Sequence, residues 1–282
     1  DTLHVVLRKV EQDTILGTIQ ATLTDFECLM PIWKKNTDEE ALLGVSLTGI
    51  MDHPQLSVVS ETTRSWLRQM RLHAVKVNKE WAEKLGINPA AAVTCVKPEG
   101  TVSQLTDSAS GLHPRYAPYY IRRVIGDVKD PLTTFMISQG IVYEDKDGSA
   151  NEKLLLFPHK SPDGAICRND RTAIEQLQHW AMMQEEWCEH KPSITVYYSP
   201  EEFLAVGQWV WDHFDILSGV AFLPRDNGVY KQAPYTEITK EEYDEFVATT
   251  PKNISWEWFT EDDDNTTGAQ TLACVAGACE IP

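Results

Sequence analysis

Between Thr172 and Pro224 the chain changes period three times, and this most narrows what it can fold into. "TAIEQLQHWAMMQEEWCEH" has helical character, and "SITVYY" is a β-branched and aromatic run of the kind that forms core strands. "SPEEFLAVGQWVWDHFDIL" then opens with Ser199 as an N-cap, Pro200 at the first helical position, and Glu201 and Glu202 in the first turn. "SGVAFLP" is a second short apolar strand, ended by Pro224. Alternation of strands with helices of this length predicts an α/β fold with parallel strands. With 282 residues, 42% of them hydrophobic, and nine tryptophans, the chain can fill a substantial core.

The rest of the chain fits such a fold. "TLHVVLRKVEQDTILGTIQATLTDF" predicts an amphipathic helix packed through Leu16, Ile19 and Leu23. "ALLGVSLTGIMDHP" carries Gly44 and Gly49 in an apolar run, as a buried strand or helix does where the backbone must pass closely; packing and ligand contact both account for it. "ETTRSWLRQMRLHAVKVNKEWAEKLGI" predicts a long helix capped near Ser60 or Thr62 and stopped at Gly86. "AAAVTCVKPEGTVSQL" is a β-rich run that breaks at Pro-Glu-Gly and resumes as a helix start. The turn-rich "EDKDGSANEKLLLFPHKSPDGAICRND" is expected to be a loop-bearing excursion around one apolar island. "TKEEYDEFVATT" predicts a helix, and the acidic "EDDDNTTGAQ" after it has nothing to bury and reads as a solvated linker.

Charge and composition remove several function classes. Lys and Arg total 25 against 42 Asp and Glu, and a net charge of −17 repels phosphodiester backbones, so no nucleic-acid partner is expected. No apolar run approaches the roughly 20 residues of a membrane span, and the opening "DTLHVVLRKVEQDT" lacks the zones of a signal peptide. A cytoplasmic location without membrane attachment is expected. Asp1 leads directly into a helical segment with no initiator methionine, as in a chain that starts inside something larger. The eight histidines form no HxH or HExxH spacing, so no metal site is expected. Cys28, Cys95 and Cys188 lie in apolar or helical surroundings and read as core thiols, while Cys167 is more loop-like.

Three motifs carry candidate chemistry, each with a plainer alternative. In "KPEGTVSQL", a turn over Pro98, Glu99 and Gly100 followed by a helix start at Thr101, Val102 and Ser103 would aim unpaired amides at one point suited to an anion such as phosphate. An ordinary strand-turn-helix junction capped by hydroxyls reads the same way. "SGLHPRYAPYYIRRV" gathers His113, Arg115, Tyr116, Tyr119, Tyr120, Arg122 and Arg123 in an acidic protein. It suits either an anionic or planar ligand or an extended loop whose arginines pair with carboxylates. The tail "CVAGACE" separates Cys274 from Cys279 by small residues, so the chain can fold back into a disulfide ring, and an exposed dithiol can exchange with other disulfides. Half of a zinc site, or a pair on a disordered end, is the alternative. A free-standing thiol–disulfide protein would carry CxxC at a helix start, which is absent.

In combination, "GVSLTGIMD", "VKPEGTVSQL", "SGLHPRYAPYYIRRV", "EEWCEHKPSITVYYSPEE", "GVAFLPRDNGVY", "APYTEITKEEY" and "LACVAGACE" resemble the C-terminal part of an adenosylcobalamin-dependent (class II) ribonucleotide reductase, closest to the monomeric ribonucleoside-triphosphate reductase type. The resemblance implies an α/β fold, the C-terminal portion of a ten-stranded α/β barrel over residues 1–258. A flexible acidic linker and redox-active tail over 259–282 would follow. It implies that Pro98, Glu99, Gly100, Thr101, Val102 and Ser103 hold the phosphates of a ribonucleotide substrate. It implies further that Cys274 and Cys279 re-reduce the active site and are themselves reduced by a thioredoxin-like partner. The cofactor would be adenosylcobalamin, bound by the complete enzyme, and the reaction thiyl-radical conversion of ribonucleotides, as triphosphates, to 2′-deoxyribonucleotides for DNA synthesis. The family's radical cysteine and its Asn-Pro-Cys-Gly-Glu context have no counterpart here, so an N-terminal part is expected as a partner. A non-catalytic nucleotide-binding or structural remnant is the alternative.

Overall fold

The computed structural model describes residues 2–26, 30–225 and 231–260. In chain order the elements are α1 (Leu3–Gln20), α2 (Pro31–Glu40), β1 (Val45–Ser46), α3 (Glu61–Leu85), β2 (Thr94–Cys95), α4 (Val102–Leu105), β3 (Tyr119–Asp127), α5 (Pro131–Ser138), β4 (Tyr143–Asp145), β5 (Glu152–Lys160), α6 (Ala173–Glu186), β6 (Ile194–Tyr198), α7 (Phe203–Asp212), β7 (Val220–Pro224), β8 (Tyr235–Glu237) and α8 (Lys240–Thr249). They form two compact units, one of Asp1–Arg115 with Pro162–Arg225 and one of Tyr116–Ser161 with Asp226–Pro282. The fold is mixed α/β, as the alternating periods predict.

The first unit holds two parallel strand pairs. β1 pairs with β2 through Val45↔Thr94 and Ser46↔Cys95, with the long α3 between them in sequence. β6 pairs with β7 over five positions, Ile194↔Val220 to Tyr198↔Pro224, across α7. Parallel neighbours need such a crossover because a tight turn would reverse the chain. The Ser199 side chain and Glu202 close a capping box that starts a 3₁₀ turn running into α7, so the start read from the sequence is where the helix begins. α3 is likewise fixed at both ends: the Ser60 hydroxyl accepts the Thr63 amide, and Gly86 closes the helix at φ +70°, where a Cβ would be strained. Leu67, Met70, Ala74, Trp180, Met183, Trp187, Ile194 and Val196 meet in the core of this unit.

α1 forms as expected but buries another face. Val6, Val10, Thr14 and Thr18 turn inward, while Leu16, Ile19 and Leu23 are exposed. The threonines can be buried because each hydroxyl bonds the carbonyl one turn back, Thr14 to Val10 at 2.6 Å and Thr18 to Thr14 at 2.7 Å. Asn78 of α3 then donates to Thr18 Oγ1 at 3.1 Å, joining the two packed helices by a satisfied polar contact.

The second unit corrects the expected excursion. The stretch after Tyr143 carries β4 and β5, in an antiparallel sheet of order β4-β5-β3-β8, and only 146–151 and 161–170 are turn and loop. β3 and β5 pair over nine positions, from Tyr119↔Lys160 to Asp127↔Glu152. The apolar island Leu154, Leu155 and Leu156 is buried because it sits mid-strand in this sheet, which only a partner from elsewhere in the chain could supply. α8, capped by Thr239 with Glu242, packs on β5 and β3.

Candidate active site

β1 and β2 deliver their following loops to one end of a parallel pair, the usual place for a ligand in α/β sheets. Two adjoining clefts open there, of about 620 Å³ and about 830 Å³, the size of small-molecule pockets. They share Asp13, Ser46, Thr48 and Thr106; the larger one adds Gly44, Lys97, Glu99 and Val102.

The Pro98–Ser103 stretch forms the junction anticipated from its sequence. The Gly100 amide bonds the Pro98 carbonyl at 3.0 Å and the Ser103 amide bonds Glu99 at 3.1 Å, so the chain turns before it enters the single turn of α4. The amides of Glu99, Thr101 and Val102 donate to no carbonyl among the described residues. Thr101, at the N-cap, makes no capping bond with its side chain. Ser103 differs from its neighbours: it is completely buried, with its hydroxyl 3.4 Å from Gln104 Nε2. Gly100 is not demanded by the fold, since a Cβ there would meet nothing within 4 Å.

The loop behind this junction is held by an ion pair. Arg115, 5% exposed, donates from Nε to Asp52 Oδ1 and from Nη2 to Asp52 Oδ2, both at 2.9 Å, and from Nη1 to Asp107 Oδ1 at 3.2 Å. Nη2 also donates to the Asp107 carbonyl at 2.7 Å, and Asp52 Oδ2 accepts the Ala109 amide at 2.7 Å. Two-point pairing of this kind fixes direction as well as charge. Asp107 is held at φ +45°, which brings Ser108 Oγ within 2.8 Å of Thr106 Oγ1 and 3.3 Å of Thr48 Oγ1. At Gly111, φ +54°, a Cβ would lie 2.3 Å from the Lys97 carbonyl, so glycine is obligatory where the returning chain crosses the end of β2.

Of the two readings of the basic and aromatic island, the arginine geometry matches carboxylate pairing. Arg115 is spent on Asp52 and Asp107, and Arg123 reaches Glu144 at 3.2 Å. Arg122 stands over the Tyr235 ring at 5.9 Å, and Tyr120 stacks on His159. His113 accepts the Thr195 amide at Nε2, and burial pushes its pKa down.

Cys95, Cys167 and Cys188 are buried. Burial pushes the thiols of Cys95 and Cys188 up, against thiolate formation, although Lys97 and a bond from Ser46 pull Cys95 the other way. Cys28, Cys274 and Cys279 lie outside the described residues. Sequence reading missed Gly44, Ser46, Thr48 and Lys97 as cleft residues. Gly44 alone left a signal, as a glycine in an apolar run.

No family model matches the chain. It is 28% identical over 214 residues to the adenosylcobalamin-dependent ribonucleoside-triphosphate reductase of Lactobacillus acidophilus, covering 73% of this chain and 29% of that protein. With the protein of the same name from Euglena gracilis it shares 29% over 234 residues, 80% of this chain and 32% of that one. With a probable one from Dictyostelium discoideum it shares 30% over 177 residues, 61% and 23%. The chain thus spans about 30% of the length of the curated relatives it matches. A solved structure of a B12-dependent (class II) ribonucleotide reductase superposes with a TM-score of 0.77 at 22% identity, covering 87% of this chain and 38% of that one. As its motifs imply, the chain is similar in sequence to the adenosylcobalamin-dependent ribonucleoside-triphosphate reductases over about three quarters of its length, and it has the fold of part of a class II ribonucleotide reductase.

Proposed function

We propose that this chain is the portion of a cobalamin-dependent ribonucleotide reductase that holds the substrate's phosphates and carries the thiols that recharge the active site. The carrying observation is the trio of amides at Glu99, Thr101 and Val102, which bond no carbonyl among the described residues, beside a cleft at the carboxyl ends of two parallel strands. Amides without partners in a turn are donors awaiting an acceptor, and phosphate oxygens accept several at once. The relatives' names supply the substrate, a ribonucleoside triphosphate.

Reduction at the ribose 2′ carbon takes two electrons from a cysteine pair, which ends as a disulfide. Cys274 and Cys279 would attack that disulfide as thiolates, becoming a disulfide themselves, and a thioredoxin-like dithiol would reduce them in turn. Joined to residues 261–270, the tail thiols act at high local concentration. The radical cysteine and the reducing pair would come from an N-terminal part of the reductase, in the cytoplasm.

Adenosylcobalamin is named in the relatives, and the clefts described above do not fit it. They are nucleotide-sized, and their apolar side chains are interrupted by the hydroxyls of Ser46, Thr48 and Thr106, by Lys9 and Lys97, and by the carboxylates of Asp13, Asp52 and Glu99, so neither offers the unbroken apolar face a corrin ring needs. The cofactor is therefore assigned to the complete enzyme, and no residue described here is given to it.

The test combines the chain with the N-terminal part, adenosylcobalamin, a ribonucleoside triphosphate and a dithiol, and measures deoxynucleotide. Product that requires both chains supports the proposal. No product from the complete mixture overturns it, and nucleotide binding without product would leave the non-catalytic remnant.

A further inference from the structure

The larger cleft holds one cation among its described lining residues, Lys97, against the carboxylates of Asp13 and Glu99. In a protein of net charge −17, a cation normally finds a carboxylate, yet Lys97 makes no ion pair among the described residues. Its position is set from two sides. The Lys97 amide donates to Ser46 Oγ at 3.1 Å, fixing the backbone at the end of β2. Its ammonium crosses Gly44 so closely that a Cβ there would lie 3.2 Å from Nζ and 3.5 Å from Cε. Gly44 has no positive φ to require glycine, and the other atom near that Cβ, Cys95 Sγ at 3.6 Å, is at ordinary contact distance. The glycine therefore makes room for the lysine.

We propose that Lys97, seated over Gly44, reads the charge of the substrate's polyphosphate and decides whether an anion enters the cleft; this rests on the phosphate-holding role of the Pro98–Ser103 turn. Free amides supply direction but little charge, and two carboxylates in the same wall repel a phosphate. A lysine beside the turn offsets one of these two charges and adds a charge-assisted hydrogen bond to a phosphate oxygen. Because Gly44 leaves the space that the Lys97 ammonium occupies, either residue controls the effect.

Three probes are titrated into the full chain at low salt: a ribonucleoside triphosphate, inorganic tripolyphosphate, and the nucleoside without phosphates. Lys97→Gln should weaken the two phosphorylated probes by about tenfold, as loss of a charge-assisted bond does, and leave the nucleoside unchanged. Gly44→Ala should do the same with an unchanged melting midpoint, since its methyl displaces only the flexible end of Lys97. Equal affinities in wild type and Lys97→Gln, with wild type binding tripolyphosphate, overturn the lysine's role and leave the phosphate turn standing. Failure of wild type to bind either phosphorylated probe overturns the phosphate turn itself.

Discussion

Gly100 has open space where its side chain would be, and a residue in that position tests a ligand without disturbing the fold. Gly100→Val should weaken nucleoside triphosphate binding by about tenfold or more while the melting midpoint stays unchanged, because the new side chain stands where phosphate oxygens would meet the Glu99, Thr101 and Val102 amides. Titration calorimetry checks it, and unchanged affinity removes the phosphate assignment. His179 supplies a second prediction from a single residue. It is completely buried, accepts Arg171 Nη1 at Nδ1 (2.8 Å), and its pKa falls from 6.5 to about 3, mainly through burial. The folded state refuses a proton that the unfolded state accepts below about pH 6.5. Stability present at neutral pH is therefore lost as pH falls from there to about 3, by at most about 1.4 kcal/mol per unit. Urea midpoints across that range should fall more steeply for wild type than for His179→Gln; parallel curves would contradict the burial argument.

At the scale of elements, caps and faces were unequally legible. The start of α3 was readable because an N-cap is a local bond: Ser60 needs only the Thr63 amide three residues on. Ser60→Ala should cost about 1 kcal/mol and lower the melting midpoint, with Ser60→Asp restoring it; a neutral alanine would mean that packing alone holds the start of this 25-residue helix. The buried face of α1 was not readable, because Leu16, Ile19 and Leu23 form as good an apolar stripe as Val6 and Val10 do. Thr14 and Thr18 could be buried through hydroxyl bonds to their own helix, and the neighbour they pack against is α3, whose Asn78 lies 60 positions beyond Thr18. The same limit hid β5, whose nine-position partner β3 begins before it and whose turn-rich flanks outweighed its three leucines.

For the whole molecule, the tail thiols and the phosphate turn separate two halves of the proposed function. With the complete enzyme, Cys274→Ser together with Cys279→Ser should abolish turnover with a thioredoxin system yet spare a single turnover and activity with small dithiols. Equal loss under both conditions would contradict a shuttle. Exposed Trp33, Leu204, Trp211 and Phe214 leave apolar surface on the first unit. What the sequence determined by itself is what nearest neighbours along the chain decide: the alternation of α6, β6, α7 and β7, the caps at Ser60 and Ser199, the turn at Pro98–Gly100, and the motifs that carry the reductase resemblance. Only the tertiary structure decided that Arg115 belongs to Asp52 rather than to a ligand, that α1 turns its threonines inward, and that Gly44 makes room for Lys97. Each of these joins residues fifty or more positions apart, where the outcome depends on which charges and surfaces folding brings together, and no local spacing records that.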